Sequence, residues 1–312
     1  MNYTNTMPPI ALPSRNRVGN ISALRLPQSG LLTGAFRRLG QRSIPRARRS
    51  VADILHRYGE WQQGNDALRG PFCQVRAGDG EILQQRTELL NRFFDFLDEQ
   101  CIQAVPPRCK VRSLLLQEFI YYLFRDLVGE FTDRALIGKA HTFKDIFFMP
   151  PNYGAMLESP HARIERKDHD FAIGVSVSAV LNSAGQEKGE VHHFQIPAVA
   201  IECKTYLDKT MLEGSSTAAE QLKFRNPNAL YLVVSEWLKL TGNVNLRKFK
   251  VDQIYVLRKQ KNTDREFRFL SNYRKNPVYL DVVEHLFKTV RIHLSSNWEG
   301  GVSYGLERGY LL

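Results

Sequence analysis

The sequence predicts an α/β fold, a mixed β-sheet flanked by helices, preceded by a helical region and an unfolded basic arm. Three observations lead to it. Two long stretches of helical apolar periodicity come first, at 81–105 and 113–131. The period then changes to that of strands across a hairpin at 169–206. After the hairpin a helical stretch, short apolar runs and a closing helix follow, an order that fits a mixed sheet.

Each element has its own warrant. Residues 1–50 carry nine arginines, no lysine and no acid, with Pro8, Pro9, Pro13, Pro27 and Pro45 among them, and read as a disordered basic arm. The chain's net charge is +11, so the remainder is only +2 (11 − 9). An arm of this kind suits a polyanion, although organelle transit peptides and a start codon placed before Met7 share its composition. "EILQQRTELLNRFFDFLDEQCIQAV" is an amphipathic helix closed by Pro106 and Pro107, and "SLLLQEFIYYLFRDLVGEF" is apolar almost all round and therefore buried. Beyond "GKAHTFKDIFFMPPNYG", the run 169–181 is a strand, 182–190 a turn and 191–206 the returning strand. "SSTAAEQLKF" (215–224) is helical with Ser215 or Ser216 as N-cap. Residues 229–237 and 253–259 are short buried strands, and 277–294 is a closing helix with Pro277 near its start. The expected organisation is a 1–50 arm, a 51–135 helical region packing on the core, and a 136–312 core with a C-terminal helix. In the 312 residues, 43% hydrophobic, there is no apolar run of some 18 residues to span a membrane. Cys73, Cys101, Cys109 and Cys203 form no CxxC pair, which argues against a zinc cluster or a disulfide framework and fits a reducing cytosol.

The chemistry gathers at "IPAVAIECKTYLDKT". Six apolar positions are followed by Glu202 and Lys204, which share one face of the strand while Cys203 takes the other. A hairpin centred near Gln186 pairs positions whose numbers sum to 372, which sets Asp170 opposite Glu202. Neighbouring carboxylates repel, and a hard divalent cation such as Mg²⁺, bound through one or two carboxylates, removes the repulsion. A lysine beside them can position a water or offset charge on a phosphate. The set suits metal-assisted phosphodiester hydrolysis; the plainer reading is a strand-end ion pair with a snorkelling lysine. A second Glu-x-Lys, Glu165 and Lys167, lies in a polar stretch where a solvated charge run explains it.

Asp170 in "KDHDFAIG" with Glu202 and Lys204 in "VAIECKTYLDKT" resembles the motif of the PD-(D/E)XK nuclease superfamily. "GKAHTFKDIFFMPP" and "IECKTYLDKTMLEGSSTAAEQLK" resemble the Bpu-type Type II restriction endonucleases, whose namesake is a two-subunit enzyme with an asymmetric site. The resemblance covers about residues 110–295 and implies a restriction-endonuclease-like core. It also implies Mg²⁺-dependent cleavage of double-stranded DNA, with Asp170 and Glu202 as ligands and Lys204 beside the attacking water. The proline that precedes the superfamily's Asp is absent, Lys167 and Asp168 standing there.

Other residues are weaker candidates. Glu118 could add an acid from the preceding helix, as superfamily members often do, or share a polar stripe with Arg125. Gln221 could reach the site from the following helix, or lie on a solvated face. Asp168 reads as a surface partner of Arg166 or Lys167; Asp145 is metal-side or structural; His192 and His193 are packing or surface residues. Arg247, Lys248, Lys250, Arg258, Lys259 and Lys261, with Arg265 and Arg268, flank a strand and suit phosphate contacts. The leading expectation is a bacterial, cytoplasmic restriction endonuclease working as a homodimer or with a related subunit. A repair or recombination nuclease and a catalytically silent DNA-binding subunit are the alternatives.

Overall fold

Three helices lead into the sheet: α1 (Pro45–Ala67), α2 (Asp79–Ala104) and α3 (Val111–Gly129). This computed structural model describes residue 34 and residues 45–104, 111–186, 188–261 and 274–310. α2 starts with Asp79 and Glu81 in its first turn, where carboxylates offset the positive end of the helix dipole. α3 is buried on every side from Leu115 to Val128, as its all-round apolarity predicts. Its Phe119 and Phe124 join Tyr58 and Trp61 of α1 and Phe93 of α2 in one apolar cluster.

Five strands lie side by side in chain order: β1 (Leu136–Phe148), β2 (Ala162–Leu181), β3 (Glu190–Leu207), β4 (Leu230–Leu238) and β5 (Gln253–Val256). β1–β2 and β2–β3 are antiparallel, while β3–β4 and β4–β5 are parallel, so the sheet is mixed as expected. Helix α4 (Tyr153–Glu158) joins β1 to β2, and α5 (Lys209–Arg225) is the crossover from β3 to β4. Helices α6 (Leu280–Ser295) and α7 (Val302–Arg308) follow β5. Phe171, Ile201 and Leu232 face the cluster built by α1–α3 and Phe287 of α6. Ala200 and Tyr231 pack on the opposite face against Ala218, Ala219 and Leu222 of α5. The site lies on this α5 side.

Several boundaries depart from the sequence reading. The stretch 136–148, assigned to no element, is a strand. β2 starts at Ala162 and not at 169, so Glu165 and Lys167 lie within it. α5 is capped by Asp208, whose side chain accepts from Met211 N, while Ser215 is buried inside the helix. α1 reaches back to Pro45 within the expected arm, and β5 stops at Val256. The rest of the arm, to residue 44, lies outside the described residues apart from residue 34.

Two bulges decide what the sheet presents. Ile173 pairs with Val199 but Gly174 pairs with Pro197, so Ala198 is an extra residue in β3. A proline has no N–H for the ladder, and the bulge accommodates it. Asn226 Nδ2 donates to Pro197 O at 2.8 Å and His293 Nε2 lies 3.2 Å from Ala198 O, so both carbonyls are satisfied. Gly174 permits the close approach: a Cβ there would lie 2.1 Å from Ile196 O. Beyond the bulge the pairs Ile173–Val199, Ala172–Ala200 and Phe171–Ile201 each sum to 372, the predicted register. Toward the turn, from Gly174–Pro197 to Leu181–Glu190, they sum to 371. In β2, His169 to Ala172 spans the same length as Ala140 back to Gly138 in β1, which places a second bulge at Asp170–Phe171.

Candidate active site

β3 alternates as an internal strand should: Val199, Ile201 and Cys203 are buried toward the main cluster, and Glu202 and Lys204 turn to the α5 side. The last β2–β3 ladder pair is Phe171–Ile201. One step on, Asp170 Oδ2 accepts the backbone N–H of Cys203 at 2.9 Å. Lys204 Nζ donates to Asp170 Oδ2 at 2.9 Å and to Glu202 Oε2 at 2.7 Å. Tyr231 OH, on the neighbouring β4, donates to Glu202 Oε1 at 3.2 Å. The structure therefore brings Asp170, Glu202 and Lys204 together at the expected register.

The three side chains sit at the boundary of solvent. Asp170 and Lys204 are 28% and 25% exposed, and Glu202 13%. Burial, with the Glu202 charge adding to it, raises the Asp170 carboxyl above its usual range despite Lys204. Burial alone would also raise Glu202, but His169 and Lys204 outweigh it and hold the carboxyl at about 2. Lys204 is destabilised by burial, yet Glu202 and Asp170 more than offset this and keep it protonated above the ordinary lysine range. One ammonium thus holds two carboxylates in place, the arrangement that repulsion alone would forbid.

The donor set fits a hard divalent cation, since both acids offer oxygen and Mg²⁺ needs only one or two carboxylates from protein. Among the described residues no group of three or more His, Cys, Asp and Glu side chains is arranged to hold a metal ion. Further ligands would come from water and phosphate.

His169 and Tyr231 were not singled out from sequence. His169 is 2% exposed, its Nδ1 lies 3.5 Å from Glu202 Oε1, and its ring meets Tyr231 edge-on with centroids 5.7 Å apart. Simple alternation sets residue 169 on the face opposite residue 170. The bulge at Asp170–Phe171 breaks that alternation, so His169 comes beside Glu202 while Asp170 meets Lys204. The available signal was the pair "HD" at the strand position that carries the acid.

The remaining candidates fall elsewhere. Glu118 is fully buried and accepts from Tyr58 OH (2.5 Å) and Gln62 Nε2 (2.8 Å), both on α1. Burial pushes its carboxyl up to about 7. Arg125 also turns to the α1 end, pairing with Asp66 at 2.5 Å. Gln221 is exposed on α5. Asp145 pairs with Arg225 at 2.8 Å, and Glu165 with Lys144 across the strands. The partner of Asp168 is His141, at 2.5 Å, and not Arg166 or Lys167; Arg166 donates to His193 O instead. His192 lies beside Glu190, and His193 Nδ1 beside Ser178 Oγ.

Of the basic group, Arg247, Lys248, Lys250 and Lys261 are exposed, and Lys259 is exposed but paired with Asp281 at 2.5 Å. Arg258 is a correction. It is fully buried, bonded to Glu236 at 3.1 Å beside Arg112, and cannot meet a phosphate at the surface. Arg265 and Arg268 lie outside the described residues.

A profile of the Bpu10I restriction endonuclease family matches residues 108–311. No curated protein matches. Among solved structures, the chain is similar to one described as native BbvCI A2B2 tetramer at low resolution, with TM-score 0.63 and 19% identity, covering 86% of this chain and 98% of that one. At that identity the likeness speaks for the fold, and the fold it supports is that of a restriction enzyme core.

Proposed function

This chain belongs to the Bpu10I restriction endonuclease family, and from that premise we propose a Type II enzyme that hydrolyses DNA phosphodiester bonds at a specific site with Mg²⁺. The observation that carries the reading is the Lys204 ammonium bonded at once to Asp170 and Glu202. It is the Asp…Glu-x-Lys set of the PD-(D/E)XK nucleases, held on the central strand β3, partly open to solvent, just past the last β2–β3 pair.

Asp170 and Glu202 would hold the cation. Bound Mg²⁺ supplies Lewis acidity at the phosphate. Of the three donors on Lys204, two are engaged by the carboxylates, which leaves one to orient the attacking water or to offset charge on a phosphate oxygen. Hydrolysis leaves a 5′-phosphate. Arg247, Lys248, Lys250 and Lys261 contribute sequence-independent phosphate contacts. One site cuts one strand at a time, so a double-strand break calls for two sites or for one that rebinds after nicking, and we propose a dimer with itself or with a related subunit. The A2B2 assembly named for the BbvCI structure is in keeping with this. A restriction role places the protein in the bacterial cytoplasm; no helix among the described residues is long and apolar enough to cross a membrane.

Incubating the purified protein with phage DNA and Mg²⁺ tests the reading. Discrete bands support it; a smear points to a nonspecific nuclease, and a gel shift without cleavage to a binding subunit. Asp170→Ala and Glu202→Ala should abolish cutting and keep DNA binding in Ca²⁺, and Lys204→Ala should lose cutting alone. Glu165→Gln should cut as wild type, because that carboxylate is spent on Lys144.

A further inference from the structure

We infer that His169 and Tyr231 are positioning residues that divide the two oxygens of Glu202, holding Oε1 inward so that Oε2 alone is presented beside Asp170 and Lys204. The inference rests on the assignment of Asp170, Glu202 and Lys204 as the cation site and deepens it. Four observations carry it. Tyr231 OH reaches Oε1 and Lys204 Nζ reaches Oε2, so the two oxygens have different partners. Tyr231 is fully buried and His169 is 2% exposed, so neither is free to follow a moving carboxylate into solvent. His169 Nδ1 is buried without a hydrogen bond of ordinary length, and Glu202 Oε1 is 3.5 Å away. The edge-on contact of the two rings fixes both against the same oxygen.

The chemistry favours such a pair. A carboxylate with two free oxygens can rotate and chelate a cation through both, which suits a larger ion with more ligands; Mg²⁺ demands short, near-octahedral single contacts. Partners behind a ligand typically set metal affinity by 10- to 100-fold. The bulge at Asp170–Phe171 acquires a role here, since an unbroken strand would aim His169 at the opposite face.

The test uses the full-length protein and the substitutions Tyr231→Phe, His169→Gln and His169→Leu, with Glu202→Ala as reference. Tyr231→Phe removes one hydroxyl and keeps the ring, and His169→Gln keeps a donor. Mn²⁺ binding without DNA is read from the electron paramagnetic resonance of the free ion, and the Mg²⁺ dependence of cleavage is measured beside it. Tyr231→Phe and His169→Leu should weaken Mn²⁺ binding by about 10-fold or more and raise the Mg²⁺ needed for half-maximal cutting. His169→Gln should recover part of the loss. A shared loss of thermal stability with unchanged Mn²⁺ affinity and Mg²⁺ requirement would overturn the inference, since it is what a packing role alone gives. Wild-type Mn²⁺ affinity in Glu202→Ala would instead sink the site assignment beneath it.

Discussion

Glu118→Gln is the sharpest probe of how α1 is bound to the rest of the chain. Glu118 is fully buried on α3, accepts hydrogen bonds from Tyr58 and Gln62 of α1, and its carboxyl is pushed up by burial to about 7 from an ordinary 4.5. The folded state therefore keeps a proton through a pH range in which the unfolded chain has lost it. Stability is at its protonated value below about 4.5, declines as pH rises, and levels off above about 7. At ~1.4 kcal/mol per pH unit the loss amounts to roughly 3 kcal/mol. Glutamine has no such titration and can still accept a hydrogen bond, so Glu118→Gln should match wild type near pH 4.5 and exceed it by roughly 3 kcal/mol at pH 8. Urea unfolding followed by tryptophan fluorescence suits the measurement, because Trp61 of α1 stacks on Tyr58. A stability difference that stays constant from pH 4.5 to 8 would show that Glu118 is not the titrating group and refute the reasoning.

Gly174→Ala should destabilise the fold by more than ~3 kcal/mol and reduce cleavage, because the new Cβ would meet the Ile196 carbonyl at 2.1 Å; thermal unfolding and a nicking assay check both. Arg258→Ala should cost about 1.5–3 kcal/mol by removing one of the two guanidinium partners of buried Glu236, which Arg112 still holds through both oxygens, while leaving the salt dependence of DNA binding alone. Replacing Arg247, Lys248 and Lys250 together by Ala should do the reverse, flattening the slope of log K against log salt by about 2.7 at little cost in stability. Mixing wild-type chains with excess Glu202→Ala chains should accumulate nicked plasmid circles if each chain cuts one strand; linear product in proportion to wild-type protein would refute a dimer.

Much of this architecture was legible from side-chain period and type. The helices of 79–104 and 111–129, the 182–190 turn and the strand ending in Glu202 and Lys204 all follow from local patterns, and local patterns dominate where an element is long and regular. β1 was missed because "KAHTFKDIFF" sits at the sheet edge with mixed exposure, so no clean alternation marks it. Arg258 looked like its neighbours in a basic run, and only its docking on Glu236, 22 residues away, sets it apart. Likewise Glu118 read as a possible ligand because its partners Tyr58 and Gln62 lie 60 and 56 residues upstream. The 372 register was legible only by assuming an unbroken hairpin; a hairpin whose tip pairs at 371 reaches it through the extra Ala198.

That extra residue gives the hairpin a division of labour. Between Ala198 and the tip, the outer pairs Gly174–Pro197 to Leu181–Glu190 run out of phase with the inner pairs beside the acids. The phase change is pinned from outside the hairpin, by Asn226 at the end of α5 and His293 of α6. The tip can accordingly lengthen or shorten by matched pairs of residues without turning Glu202 and Lys204. Loss of Ala198 alone would merge the two phases into one regular ladder, because Ile173–Val199 would then follow Gly174–Pro197 directly. Glu202 and Lys204 would keep their face of the sheet, and what would go is the kink in β3 together with the carbonyl that meets His293 of α6.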